Sequence, residues 1–335
     1  MYEHWAEISR GKAKLTEIMR KVLQASSALF IVWSGVQASL IPGAAAQDFG
    51  DAPYVQTSPH VVKAMLEMAR VGPQDFVIDL GSGDGRMVIA AAKAYGARGF
   101  GVDLDEQLVR LANARAAKER VADRAVFYAR DLFKTEIRQA SVMTMYLLPE
   151  VNLMARPKLL GELRPGTRIV SHDYDMGAWK PDARLVLDDP DKPVGLDKTS
   201  KVFYWVVPAN VTGEWVLVMK NGAQSREYAL KLTQRFQFAE GVMVFGGANG
   251  ALHEVKLNGA RLMFKARLPN RSAPGVLTLY EFSGRVMGDS MQGTIRSDSE
   301  KRAIFWQARR VAGKTAIGPE VDPKLAEIKA FSGLR

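Results

Sequence analysis

The 335-residue chain contains no cysteine. That absence excludes disulfide staples, thiolate metal sites and cysteine nucleophiles. Histidine is nearly as scarce: His4, His60, His172 and His253 are scattered, and none shares metal-ligand spacing with another, so no metal is expected. Internal repeats and low-complexity tracts are missing too. Acids are in deficit, 36 Asp and Glu against 46 Lys and Arg, for a formal charge of +10. A basic balance of this size admits an anionic partner or a membrane surface and identifies neither. What is present is ordinary globular composition, 47% hydrophobic and 24% charged, which excludes wholesale disorder and fibrous repeats. At about 150 residues per domain the length predicts two domains, each able to bury a core.

Near the N-terminus, Met19-Arg20-Lys21 is followed by an apolar stretch around Ala28-Leu29-Phe30-Ile31-Val32-Trp33 and then by Ala44-Ala45-Ala46. Basic, apolar and small-residue segments in that order are the three parts of a secretory signal, here with cleavage after Ala46. An uncleaved anchor is the alternative, because Val22 to Ile41 spans 20 residues, a borderline length for a bilayer. In both cases the basic flank stays inside and the rest of the chain is sent outward. The expectation is a signal peptide or membrane anchor over residues 1–46. The protein is then periplasmic, or anchored to the inner membrane through this segment, and cytoplasmic only if the leader does not function.

Beyond the leader, strand and helix patterns alternate as far as residue 209. Phe76-Val77-Ile78-Asp79-Leu80 is a short apolar run bounded by glycine, which suits a buried parallel strand. Residues 86–95 suit a buried helix. Gly99–Asp103 is a second strand, and Leu108, Leu111, Ala112 and Ala116 are spaced as one helical face. Ala125–Tyr128, Val142–Leu147 and Arg168–Ser171 are further strands, with a helix carrying Leu153, Leu159 and Leu160 before the last. Residues 184–188 and 202–207 suit a closing antiparallel pair. This order predicts an α/β domain over 47–209, a parallel sheet covered by helices on both faces. Residues 210–312 change character: short alternating strands split by Gly, Asn and Ser turns predict six to eight strands in a small antiparallel barrel or sandwich. A tail over 313–335, with a short helix at 323–331, completes the chain.

The most informative segment is Asp79-Leu80-Gly81-Ser82-Gly83-Asp84-Gly85-Arg86. It follows a predicted strand and opens a predicted helix, where glycine lets the backbone turn sharply and a ligand approach without a Cβ clash. Asp103 ends the next strand, and a carboxylate there can accept hydrogen bonds from both hydroxyls of a ribose. A dinucleotide fingerprint needs a third glycine where Arg86 stands. Asp84 inside the loop would repel a pyrophosphate and suits a ligand with a positive centre and an amino-acid tail, as S-adenosyl-L-methionine (SAM) has. No G-K-[ST] follows, which excludes a P-loop.

These residues resemble motif I of the class I SAM-dependent methyltransferases, with Asp103 matching the acidic residue after their second strand. More narrowly, Pro53-Tyr54-Val55-Gln56-Thr57, Leu147-Leu148-Pro149-Glu150, Gly166-Thr167-Arg168-Ile169-Val170-Ser171 and Trp179-Lys180-Pro181 resemble the protein-lysine methyltransferases that modify mitochondrial carrier and ATP synthase subunits, and their bacterial relatives. Gln56 departs from the proline usual there, and Asp103 from the usual Glu. The resemblance implies a Rossmann-like seven-stranded methyltransferase domain, SAM as cofactor and a protein lysine as acceptor. It places SAM against Tyr54, Thr57, Asp79, Gly81, Ser82, Gly83, Gly85, Asp103 and Asp131, the last as the adenine contact.

Methyl transfer from a sulfonium is an in-line displacement, so alignment is the enzyme's main task. A lysine acceptor must first lose its proton. Open α/β sheets hold ligands at the C-terminal ends of their strands. Glu150 and His172, after the fourth and fifth strands, are therefore the candidate catalytic residues. Trp179 either covers the entrance or belongs to the core. In the β domain, Gly213-Glu214-Trp215 and Trp306 with Arg309 resemble the closing contacts of lipocalin-like barrels. Residues 212–310 carry 15 Lys and Arg against 8 Asp and Glu, but no stacking platform, so nucleic acid is not expected as a partner. The alternative to an enzyme is an exported or membrane-anchored binding protein that kept the methyltransferase-like fold without the chemistry.

Overall fold

The computed structural model describes residues 54–221, 224–245, 248–269, 275–297 and 300–318. The leader expected at 1–46, Pro53 and the helix expected at 323–331 lie outside the described residues. Among the described residues no helix is long and apolar enough to cross a membrane.

Helix α1 (Pro59–Met68) is followed by β1 (Phe76–Leu80), α2 (Arg86–Tyr95), β2 (Arg98–Asp103), α3 (Glu106–Lys118) and β3 (Ala125–Ala129). A 3-10 turn (Leu132–Lys134) leads to β4 (Val142–Met145), α4 (Pro149–Glu162) and β5 (Arg168–His172). Strands β6 (Ala183–Asp188) and β7 (Thr199–Val206) close the first sheet. Its order is β3-β2-β1-β4-β5-β7-β6. Strands β1 to β5 run parallel and β7 antiparallel to its neighbours, as expected. The order reverses between β1 and β4, and such a switch point opens a crevice at the C-terminal ends of those strands.

Alternation along the strands sorts the core. Val77, Val142, Val170 and Val202 face α1, which buries Val61, Val62, Met65 and Leu66 against them. Ile78, Leu80, Met143, Met145 and Ile169 face the other way, against Ala155 and Leu159 of α4. Helix α3 buries Val109, Ala112 and Ala116 against Ala125 and Phe127. Leu111, expected on that face, is instead 47% exposed. The buried stripe runs through Leu108 and Val109, which turns Leu111 to solvent.

The second sheet contains nine strands rather than six to eight: β8 (Gly213–Asn221), β9 (Gln224–Arg235), β10 (Phe238–Phe245), β11 (Ala248–Ala251), β12 (His253–Asn258), β13 (Arg261–Pro269), β14 (Leu277–Met287), β15 (Ser290–Ser297) and β16 (Glu300–Ala312). The count exceeds the expectation because β11, Ala-Asn-Gly-Ala, carries no apolar alternation to read. The strands form an antiparallel meander in which the first, β8, pairs with the last, β16. The two edge strands, β11 and β12, are consecutive in the chain and joined through Leu252, which brings the edges together and curls the sheet into a nearly closed barrel. Its interior is filled: Phe264 stacks on Phe282 at 4.5 Å, and Trp306 meets both edge-on near 6 Å.

Arg310, not Arg309, makes the closing contact. Its guanidinium lies 4.1 Å over the Trp215 ring. It also donates to the carbonyls of Thr212 and, at 2.7 Å, Asn210. Side chains alternate along β16, so the neighbouring Arg309 points outward. Phe236, in the turn between β9 and β10, enters the core of the first sheet and stacks on Trp179 at 6.0 Å and 9°. Trp179 is fully buried there and belongs to the core rather than to an entrance.

Candidate active site

The turn after β1 is built by hydrogen bonds before any ligand arrives. Gly81 N and Ser82 N both donate to Val102 O at 2.9 Å, which bends the chain across the end of β2. Gly81 and Gly83 take left-handed φ angles of +72° and +51°, where a side chain is strained. A Cβ on Gly83 would stand 2.5 Å from the Tyr54 ring, and one on Gly81 would stand 2.6 Å from Leu147. Tyr54 and Leu147 therefore close on the loop from two sides, and Gly85 caps α2 in the same left-handed region.

Asp103 meets this loop. Its Oδ2 accepts Gly83 N at 2.8 Å and its Oδ1 accepts Asp105 N at 3.0 Å. A carboxylate offers about four lone-pair sites, so acceptor capacity remains on both oxygens. Arg130 N donates to Asp103 O at 2.9 Å and brings the end of β3 alongside. Asp131, one residue on, caps the 3-10 turn by accepting Phe133 N at 2.8 Å.

Asp79 lies beneath the crevice, 6% exposed. Thr144 Oγ1 donates to it at 2.7 Å. Burial pushes its carboxyl up to about 8; the Thr144 bond opposes the rise, and the nearby charges of Asp103 and Asp84 add to it. Among the described residues no lysine or arginine forms an ion pair with Asp79. Asp84, expected to face the ligand's positive centre, is already committed. Arg86 Nε donates to it at 2.9 Å, and Arg115 forms a second ion pair. Burial alone would raise its pKa, but these cations hold it below the usual carboxylate range. Ser82 is buried, and its hydroxyl has no partner among the described residues.

On the β5 side, His172 is 1% exposed. Its Nδ1 lies 3.1 Å from Thr57 Oγ1 and its Nε2 lies 2.9 Å from Ser200 Oγ. Ser200 donates onward to Asp189 at 2.6 Å. With that proton spent on Asp189, the ring's Nε2–H donates to Ser200 and its Nδ1 accepts from Thr57. Burial pushes His172 down to about 4, with Lys192 adding to the fall, so the ring is neutral at pH 7. Thr57 does not cap α1; the cap position is Ser58, whose side chain makes no capping bond. The Thr57 carbonyl also accepts from Arg86. Glu150 is exposed in the first turn of α4 and does not meet His172.

The structure thus gathers Tyr54, Asp79, Gly81, Gly83 and Asp103 around the turn after β1, with Thr57 and His172 on its β5 side and Asp131 beside Asp103, whereas Gly85 backs onto Phe127 and Ala112 and the Ser82 side chain onto Gly101. Sequence reasoning passed over Thr144, Tyr146, Asp189 and Ser200. Thr144 left a readable signal, the polar residue in the strand Val-Met-Thr-Met. The others did not, because their partners lie in distant segments.

A parallel sheet of this order, with a glycine turn after β1 and a ribose-type acid after β2, defines a class I SAM-dependent methyltransferase. The family model described as the ANTKMT methyltransferase domain matches residues 79–183. The chain belongs to this family of lysine N-methyltransferases. A protein-lysine N-methyltransferase of Saccharolobus islandicus is 43% identical over 138 residues, 41% of this chain and 86% of that one. An adenine nucleotide translocase lysine N-methyltransferase of Mus musculus is 30% identical over 180 residues, 53% of this chain and 77% of that one. A solved RNA methyltransferase of Salinibacter ruber, in complex with S-adenosyl-L-homocysteine, is 45% identical, covers 47% of this chain and 96% of its own, and superposes with a TM-score of 0.42.

Proposed function

We propose that the chain binds SAM in the crevice between Tyr54, Asp79 and Asp103 and transfers its methyl group to the ε-amino group of a lysine on a protein substrate. One observation carries the reading: Asp79, a buried carboxyl group with no cationic partner among the described residues, lies under a glycine cradle beside a ribose-type acid. An ammonium placed there removes the penalty of the buried charge. The names of the relatives at 43% and 30% identity support the lysine acceptor.

Bound there, SAM supplies a methyl group activated by its sulfonium. Asp103 accepts the ribose hydroxyls on the lone pairs that Gly83 and Asp105 leave free. Asp79, oriented by Thr144, takes the ammonium of the amino-acid tail, and Tyr54 covers the loop. Asp131 borders the adenine side. His172 holds Thr57, and with it the segment before α1, in place over the site. Glu150, exposed at the mouth, favours a basic approaching segment by charge. The acceptor ammonium gives its proton to solvent. Its nitrogen then bonds the methyl carbon as the C–S bond breaks and S-adenosyl-L-homocysteine leaves, and alignment of the neutral amine away from water lowers the barrier.

Equilibrium binding of SAM to the full chain, with Asp103→Ala as control, tests the cofactor half. Binding that falls by about a hundredfold in a folded variant is expected from losing charge-assisted bonds. Absence of binding to the wild type overturns the reading. Amino-acid analysis of a radiolabelled protein product tests the acceptor, with methyl-lysine as the expected residue.

The same proposal assigns residues 47–209 to catalysis, 210–312 to the barrel domain, and 1–46 to export or inner-membrane anchoring. The basic, apolar and A-x-A order of residues 19–46 supports this last assignment. The mass of the mature N-terminus and fractionation of cells test it, with cleavage after Ala46 or retention in the membrane as the expected outcomes.

A further inference from the structure

Beyond β5, one of the chain's own lysines occupies a carboxylate at the mouth of the crevice. Asp173 follows β5 with a left-handed φ of +59°, which non-glycine residues rarely adopt. Its Oδ1 accepts Lys201 N at 3.0 Å. Its Oδ2 accepts the Tyr146 hydroxyl at 3.2 Å and Lys192 Nζ at 2.8 Å. Lys192 Nζ also donates to Thr199 O at 2.6 Å. The Tyr146 ring packs on His172 at 4.0 Å and stacks with Tyr174 at 6.3 Å and 25°.

Lys192 comes from the turn between β6 and β7. Residues 193–198 of that turn are all exposed, Leu196 completely, whereas the Lys192 side chain is only 12% exposed. The exposed residues 193–198 contribute no buried apolar side chain, and of the turn's inward-directed groups Asp189 is held by Ser200 while the other is the Lys192 ammonium. That ammonium sits where β4 and β5 end, the edge at which open sheets take their ligands. Aromatic faces beside a carboxylate are surroundings that favour an ammonium.

We propose that Asp173, walled by Tyr146 and Tyr174, is the receptor for the ammonium of the incoming lysine, and that Lys192 is a resident surrogate which the acceptor displaces. This rests on the lysine-acceptor reading above. The exchange is one ammonium for another, so the sheltered carboxylate is never left unpaired. Until displaced, Lys192 lowers the apparent affinity for the acceptor by the fraction of time it holds the place.

The test uses the full chain, radiolabelled SAM and poly-L-lysine as the acceptor probe. If Lys192 holds the place for about nine-tenths of the time, Lys192→Met lowers the KM for poly-L-lysine about tenfold. Lys192→Arg, which keeps the cation, retains the wild-type KM, and Asp173→Asn raises it about tenfold or more. The KM for SAM stays the same throughout. Lys192→Gln replaces the methionine variant if that one fails to fold. Transfer with an unchanged KM in Lys192→Met, accompanied by a lower melting temperature, overturns the inference and leaves a structural ion pair. No transfer by wild type or variant, with SAM binding intact, overturns the lysine reading itself and this inference with it.

Discussion

Asp103 accepts the backbone N–H of Gly83 at 2.8 Å, so the acid after β2 and the turn after β1 are one unit before any nucleoside binds. The bond fixes the distance between the Asp103 carboxylate and the glycine loop. Gly83 permits it through its φ of +51° and by leaving room for the Tyr54 ring.

Gly83→Ala follows from that geometry. A left-handed alanine costs about 1 kcal/mol, and its methyl group would push Tyr54 off the loop. SAM affinity is expected to fall about tenfold, measured by calorimetry. Tyr54→Ala in the same chain should recover part of the accompanying loss in melting temperature, because it removes the clash and leaves the backbone strain.

Asp79 predicts a proton-linked stability and a proton-linked binding step. Its pKa rises from 3.8 to about 8 through burial. The folded state therefore holds a proton that the unfolded state has lost, and stability contributed by Asp79 falls as pH rises from about 4 to about 8. Asp79→Asn should remove that slope in melting temperature. In the wild type at pH 7, SAM binding should release a proton, seen as a dependence of the calorimetric heat on buffer ionisation. In Asp79→Asn the release should vanish and affinity should drop about 10- to 100-fold, the worth of a charge-assisted bond.

His172 titrates in the opposite sense. Burial lowers it from 6.5 to about 4, so the unfolded chain binds a proton that the folded chain does not. Stability contributed by His172 is lost as pH falls from about 6.5 to about 4. His172→Asn should flatten this acid-side loss, by on the order of 2 kcal/mol, in melts at pH 7 and pH 4.5. It should also raise the KM for SAM severalfold, because Thr57 loses its partner.

Phe236 ties the barrel to the sheet. It is 1% exposed, stacked on Trp179, with Arg156 at 5.5 Å over its face. Phe236→Ala leaves a cavity in the core of the first sheet and should cost about 3–5 kcal/mol. Differential scanning calorimetry is expected to show the single transition broaden or split as the two sheets lose their common packing. Asp103 and Asp79 are remote from the change, so SAM affinity measured on the folded fraction should hold.

The sequence by itself determined the elements whose cause is local. A short apolar run, a glycine turn and a helix pattern placed β1, the loop and α2 almost to the residue. The same signals marked Asp103, since a carboxylate ending the second strand needs only that strand's register. Tertiary structure decided everything that depends on a partner far along the chain. Asp84 reads as a ligand group until Arg86 and Arg115 fold onto it. Thr57 reads only as a cofactor contact, and its hydroxyl partner His172 stands 115 positions away. Arg309 and Arg310 are indistinguishable in composition, and strand alternation alone chose which one faces Trp215. Leu111 matched the helical spacing, yet the sheet beneath α3 selected the stripe through Val109. The reason is the same in each case. Periodicity and turn chemistry act over a few residues, whereas charge pairing and burial are settled by which surfaces meet.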